Sequence, residues 1–283
     1  MKLFRPRGRN DARQLMRSPL GQAIALFQAG RYAEAEAEAR AVAAARSRPR
    51  DDPHVPLALS IAALAASAQG RYAEALATYD AALPVFGRIF GAEHPQTLKL
   101  RSNRAQTTLS ALDQHAECEA ECAAVAQAAT RGTGPEMPLI AAAAHNGLIY
   151  ALNAQGRHPE AEALAREALT APPVPGRLTL VLRLGLARSL NGQARHEEAL
   201  AEAERADELR RSLPEEQRRP ETGAVELAVA TALLGLGRGT EARLRAAAAH
   251  DACLATFGPD HRRTIRAKVA HVPLKLWFGA LSA

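Results

Sequence analysis

The sequence predicts an all-α protein built from stacked helical hairpins, and two observations lead to this prediction. The first is a repeat: the seven-residue block Ala29–Ala35 (AGRYAEA) returns in five further versions along the 283 residues. The second residue of the block falls at positions 30, 70, 113, 156, 194 and 237, so the period is close to 40 residues. A period of this size is typical of stacked-repeat proteins.

The second observation is that each block joins two amphipathic segments. Leu148 and Leu152 precede the fourth block, and Ala161, Leu164 and Ala165 follow its first residues, all at helical spacing. The glycine of the block can adopt a left-handed conformation that ends the first helix. The block's glutamate then lies in the first turn of the second helix, where the helix dipole favours negative charge. Each repeat is therefore predicted to be a hairpin of helix A and helix B.

The pattern divides the chain into three predicted segments. Residues 1–17 form a basic N-terminal arm, residues 18–260 the repeat solenoid, and residues 261–283 a capping helix with an apolar tail. The repeats are predicted near 14–47, 55–90, 94–131, 136–171, 177–213 and 221–257, with a charged loop at 215–221. The tail, which contains Trp277, is expected to fold over the last repeat; the alternative is an exposed patch that binds another chain.

The net charge of +6 is concentrated in the arm. The first 17 residues carry six basic side chains and one acidic one, whereas the rest of the chain carries 30 basic and 29 acidic side chains. The arm, with Arg5, Arg7, Arg9 and Arg13, is either a solvated terminus or an electrostatic contact with nucleic acid or anionic lipid.

Composition points to a reduced, cytoplasmic protein. No run of 18 apolar residues is present, and the basic N-terminus lacks the apolar region of a secretory signal. Three cysteines, an odd number, do not make a disulfide framework. The bias toward arginine and alanine suggests a GC-rich bacterial genome.

The sequence lacks the motifs of several enzyme classes, including the phosphate loop, the serine elbow and the His-Glu-x-x-His zinc motif. A non-catalytic protein without a cofactor is expected. His115, Cys118 and Cys122 are spaced to share one helix face and could ligate a metal. However, each aligns with packing residues of the other repeats, as Cys118 does with Ala35, so a packing role is favoured and no metal site is predicted.

At Gly30/Tyr32/Ala35 and Gly70/Tyr72/Ala75 the block resembles the tetratricopeptide repeat. The segments 90–97 and 257–264 resemble the linkers of its kinesin-light-chain-like variety, which is common in bacteria. The resemblance implies a right-handed superhelix of six hairpins plus a terminal helix. It also implies a concave groove, lined by helix A, that binds extended peptides.

In the family, the groove residues lie 10, 6 and 3 positions before the turn glycine. For the middle repeats the resemblance places these polar side chains in the groove: Asn103, Thr107, Ser110, Asn146, Tyr150, Asn153, Arg188 and Asn191. A primary amide can donate to and accept from a peptide backbone at once, so asparagines in successive repeats suit a ligand that is read by its main chain. The other interpretation is that these are ordinary solvated positions.

The function expected from this pattern is a protein-interaction scaffold that holds a peptide or partner segment in the groove. Arg188 is the one basic residue in the middle-repeat slots, so binding of chaperone tails, which needs several, is not expected. The alternative is a regulatory protein that senses a peptide or contacts nucleic acid through its basic arm.

Overall fold

A computed structural model of the protein describes residues 20–45, 52–109, 112–170 and 176–268. The chain divides into two compact units, Met1–Gly147 and Leu148–Ala283, and each is described here by itself. All regular secondary structure within the described ranges is helical, with no strand. The predicted all-α class of helical-hairpin repeats is confirmed.

The first unit contains three complete hairpins and the start of a fourth. Its helices are α1 Gly21–Gln28, α2 Tyr32–Ala45, α3 His54–Ala68, α4 Tyr72–Ile89, α5 Pro95–Arg104, α6 His115–Arg131 and the first part of α7 Met137–Ala154. Helix α5 continues into a π-helical turn, Ala105–Leu109.

The second unit begins within α7. It continues with α8 His158–Thr170, α9 Gly176–Gly192, α10 His196–Ser212, α11 Glu215–Arg218, α12 Ala224–Gly235, α13 Gly239–Phe257 and a final helix described over 262–268. The prediction of a loop at 215–221 is wrong, because this stretch forms α11 and the 3₁₀ turn Arg219–Glu221. Glu215 lies in the first turn of α11 and pairs with Arg218 at 2.7 Å, which supports this short helix.

The turns between helix A and helix B have left-handed backbone, as predicted for their glycines. Gly30, Gly70, Gly156 and Gly237 have φ between 75° and 82°. The next residue of each turn donates its N–H to the carbonyl five positions back, as from Arg157 to Leu152 at 3.0 Å. This hydrogen bond is one of the pair that closes a Schellman cap. Asp113 and Ala194, which replace glycine in two blocks, keep the same geometry at φ 59°.

Small residues let the helices approach closely at two positions of helix B, with one exception, Tyr79. At the first position the six side chains are completely buried: Ala35, Ala75, Cys118, Ala161, Ala199 and Ala242. The second position, four residues later, is equally buried and holds alanine in every repeat except for Tyr79 and Cys122. Alanine combines high helix propensity with minimal volume, so the same spacing that favours the helices also permits their contact.

Glutamates on helix B tie neighbouring hairpins together in the same way in both units. Glu162 of α8 accepts hydrogen bonds from Arg195 and Gln193, both at 2.7 Å, in the next turn of the second unit. Burial raises the pKa of Glu162, but the hydrogen bonds from Gln193, Arg166 and Arg195 outweigh it and hold the pKa below its usual range. In the first unit, Glu36 accepts equivalent bonds from Arg71 and Gln69.

The two linker segments share one capping structure. Phe90 stacks on His94 at 5.1 Å between ring centroids, and Phe257 stacks on His261 at 4.6 Å. In both, histidine Nδ1 accepts the backbone N–H two residues ahead at 3.2 Å and so caps the next helix. Burial, with a contribution from Arg263, lowers the pKa of His261 to about 4, which keeps the imidazole neutral and able to accept.

The basic arm at 1–17 and the apolar tail at 274–278 lie outside the described residues. The expectations for them remain predictions. Ile265 of the final helix is 50% exposed, whereas Leu98, at the same place after the first linker, is completely buried. The end of the second unit therefore presents an apolar side chain that an internal repeat would cover.

Replacing Ala194 by glycine is expected to raise the free energy of unfolding by about 1 kcal/mol, because glycine adopts positive φ without the steric cost that alanine carries. Urea unfolding followed by circular dichroism measures the change. The matched control is Ala163→Gly at an exposed position within α8, which is expected to lose about 1 kcal/mol. Destabilisation by both changes would show that the turn is not strained by alanine.

Candidate functional site

In the first unit, the helix A positions predicted to line a groove surround one depression. Ser60 and Leu64 of α3 and Asn103 of α5 lie on its wall with Gln96, Lys99, Leu100 and Phe86, and the depression is partly open to solvent. Leu64, Leu100 and Phe86 form a buried apolar floor. The half-buried Asn103 side chain makes no hydrogen bond within the described chain, so both ends of its amide are open to a ligand.

An ion pair between the buried Lys99 and the exposed Glu136 lies at the wall of this depression. Lys99 is 5% exposed, and its Nζ donates to Glu136 Oε2 at 2.8 Å in the turn before α7. The ammonium is therefore held by the next repeat rather than presented to the depression. The depression consequently offers an apolar floor and an amide rather than a positive charge.

The other predicted residues of the first unit are less open. Thr107 lies in the π-helical turn, where its hydroxyl donates to the Asn103 carbonyl at 2.7 Å and its own carbonyl accepts from Ser67 at 2.9 Å. Asn146 donates to Gln106 Oε1 at 3.1 Å. Ser110 lies outside the described residues.

In the second unit, Tyr150 and Arg188 occupy the same slot in successive repeats and are in contact. The guanidinium carbon of Arg188 lies 5.0 Å from the centroid of the Tyr150 ring, within the range of a cation–π interaction. Burial and the positive charges of Arg266 and Arg263 lower the pKa of Arg188 to about 10, so it remains a cation at neutral pH.

Asn153, which the sequence predicts to lie in the groove, has its side chain buried inside the second unit. Asn153 is 6% exposed, and its amide donates to Ser189 Oγ at 2.9 Å and to the Gly185 carbonyl at 3.3 Å. Its Oδ1 accepts from His158 Nδ1 at 2.9 Å. The side chain thus joins helix A, helix B and the next hairpin, and no group is left for a peptide.

Asn191 repeats part of this arrangement. Its Oδ1 accepts from His196 Nδ1 at 3.1 Å, while the side chain stays half-buried. The imidazoles of His158 and His196 pack so closely on Gly192 and Gly235 that a Cβ at either glycine would lie within 2.4 Å of a ring atom. The Asn191 oxygen is therefore hydrogen-bonded within the turn, and the NH₂ group is the part of its side chain that could donate to a ligand.

The sequence carried a signal for this pairing that the groove prediction missed. In two blocks, asparagine three positions before the turn residue is matched by histidine two positions after it, Asn153 with His158 and Asn191 with His196, and in the first block Phe27 is matched by Tyr32. In the first unit, Phe27 and Tyr32 make an edge-to-face contact at 5.1 Å between centroids. The matched pairs indicate contact across the turn rather than with a ligand.

The cysteines occupy packing positions. Cys118 and Cys122 are completely buried, and Cys118 Sγ donates to the Ala105 carbonyl at 3.4 Å. The hydrogen bond with Cys118 and burial raise the pKa of Cys122. In the part of the chain that the structure describes, no three His, Cys, Asp or Glu side chains are grouped so as to hold a metal.

None of the described helices combines the length and the apolar character needed to cross a bilayer.

Comparisons with known proteins agree with this architecture. Two tetratricopeptide repeat family models match residues 54–119 and 121–174. A similar solved structure is the crystal structure of a putative kinesin light chain from Podosopora anserina, which has nearly identical TPR-like repeats. It aligns with a TM-score of 0.55 at 22% sequence identity, and the alignment covers 70% of this chain and 95% of that one. A variant of it gives a TM-score of 0.56 at 21% identity with the same coverage. At this identity the likeness is one of fold. Among curated proteins, none matches this sequence.

Truncating Asn153 is expected to destabilise the second unit by about 2 kcal/mol, because Asn153→Ala removes a buried amide together with its hydrogen bonds to Ser189, the Gly185 carbonyl and His158. Urea unfolding followed by circular dichroism measures the loss. Asn146→Ala is the control, since Asn146 is half-buried and makes one side-chain bond, to Gln106; a loss below about 1 kcal/mol is expected. Equal, small losses would contradict a structural role for Asn153.

Proposed function

This chain is a tetratricopeptide repeat protein, and we propose that it is a non-catalytic interaction module that binds an extended peptide on the exposed face of its A helices. Repeats of this family generally mediate protein–protein interactions. The depression of the first unit is the observation that carries the proposal. It places the unpaired amide of Asn103 beside the apolar side chains of Leu64 and Leu100.

The chemistry of the depression fits a peptide segment. The Asn103 amide can donate to a backbone carbonyl and accept from a backbone N–H of the same ligand residue, which holds main chain in register without reading its sequence. The edges of Leu64 and Leu100 beside it can contact an apolar group of that ligand. The amide is therefore the main contact in this proposal.

The groove residues fall into two groups under this proposal. Asn103, Tyr150 and Arg188 present groups that a ligand could meet, whereas Asn153, and Asn191 through its oxygen, hold the turns in place. Asn146 and Thr107 have bonds within the first unit and would contribute at most secondary contacts. The alternative of nucleic-acid binding depends on the arm at 1–17, which lies outside the described residues.

Selection of a random peptide library on the immobilised full-length protein tests the proposal. Wild-type protein is expected to enrich peptides whose affinity, measured by fluorescence anisotropy, falls about tenfold in Asn103→Ala, since one or two hydrogen bonds are lost. The matched control is Gln127→Ala, which removes an exposed amide from helix α6 and is expected to leave affinity unchanged. Failure to enrich any peptide, or equal affinity in all three proteins, would contradict peptide binding at this face.

A further inference from the structure

The final helix of the second unit, described over 262–268, exposes an apolar side chain between two cations. The inner side of this helix is fixed, because Ala267 is buried in the apolar cluster of helix α13. Ile265 lies toward solvent and is 50% exposed. Arg262 and Lys268 stand three positions before and after Ile265, so they are its neighbours on the helix surface.

The exposure of Ile265 follows from its place at the end of the repeats. Leu98 occupies the same position after the first linker, where α6 and α7 cover it through Val125 and Met137. Within the described residues no hairpin follows the final helix, so Ile265 keeps an open apolar surface. A position that is internal in one repeat is thus available to a partner in the other.

The final helix also has an unbalanced charge. Residues 261–268 contain four Lys and Arg side chains and no acidic one. Arg263 is turned toward the body of the unit, where it lies 3.8 Å from Glu221. Arg266 and Lys268 are exposed and have no hydrogen bond or ion pair within the described chain. This surface favours an anionic partner, whereas a second copy of the same face would bring like charges together.

The sequence beyond the described residues continues the same pattern. Val269 and Val272 follow Ile265 by four and seven positions, which is the spacing of one helix face. The stretch 274–278 (LKLWF) then combines four apolar side chains with one lysine. Apolar and aromatic residues mixed with cations are typical of segments that lie at the surface of an anionic bilayer.

We propose that this face of the final helix, with Ile265 between Arg262 and Lys268, binds the surface of an anionic lipid bilayer. The apolar side chain enters the boundary between headgroups and acyl chains, and the flanking cations contact lipid phosphates. A nucleic acid would satisfy the cations but would leave Ile265 without an apolar environment, so the bilayer fits the whole face better. This contact goes beyond the proposed peptide binding and does not depend on it.

Co-sedimentation of the full-length protein with lipid vesicles tests the inference. Wild-type protein is expected to bind vesicles that contain phosphatidylglycerol much more tightly than vesicles of phosphatidylcholine alone. Lys268→Gln is expected to lower the partition coefficient about fivefold, because one cation near the bilayer surface is lost. Ile265→Asn is expected to lower it by about the same factor, because apolar burial in the bilayer is lost.

Three controls accompany these variants. Arg245→Gln and Leu244→Asn remove an exposed cation and an exposed leucine from α13 of the same unit and should leave vesicle binding unchanged. Replacing Arg5, Arg7 and Arg9 of the N-terminal arm by glutamine separates the charge of the arm from that of the final helix. The effects of the two final-helix variants should persist in that background.

Three results would overturn the inference. Vesicle binding that the arm variant abolishes would assign the contact to the arm. Unchanged vesicle binding in Ile265→Asn would show that this side chain does not reach lipid, and a lower unfolding temperature of the same variant would indicate that the chain itself covers it. Binding of double-stranded DNA that is lost in Lys268→Gln but kept in Ile265→Asn, without vesicle binding, would assign the cations to a nucleic acid.

Discussion

The architecture depends on the close approach of helices at positions where only a small side chain fits. The first small position of helix B is completely buried in all six blocks. The fit is tight from the other side as well: a Cβ on Gly147 would lie 2.5 Å from Cys122 Sγ, and one on Gly185 would lie 2.8 Å from Ile149 Cγ2. At these two contacts a glycine makes room for Cys122 and Ile149, which are larger than alanine.

Small interfaces bury little apolar area, so polar contacts have to fix their geometry. Glu36 and Glu162 each collect hydrogen bonds from the next turn, and Asn153 joins its own hairpin to Ser189 of the following one. These groups are satisfied and so cost the fold little. The Asn103 side chain makes no such bond within the described chain, and for this reason we propose it as a ligand contact.

The sequence was sufficient for the fold because its signals are local and repeated. The left-handed turn at Gly30 follows from residue type, and the buried column follows from alanine at fixed spacing. The role of Asn153 could not be predicted from its position in the repeat. That position determines which face of helix A the side chain lies on, but it does not identify Ser189 and His158 as the hydrogen-bonding partners. The π-helical turn at Thr107 and the pairing of Lys99 with Glu136 likewise depend on packing across repeats. The contact of Arg188 with Tyr150 lies between these cases: the shared slot predicts proximity, but the placement of the guanidinium over the ring emerges only from the three-dimensional structure.

The most direct test of the account compares two leucine substitutions on helix α8. Ala161 is completely buried at the small position, whereas Ala163, two residues later, is exposed. If close helix approach determines the structure, Ala161→Leu should lower the free energy of unfolding in urea by about 2 kcal/mol or more through overpacking, and Ala163→Leu should change it by less than about 0.5 kcal/mol. Equal effects of the two substitutions would show that the hairpins do not depend on the small residues for their packing.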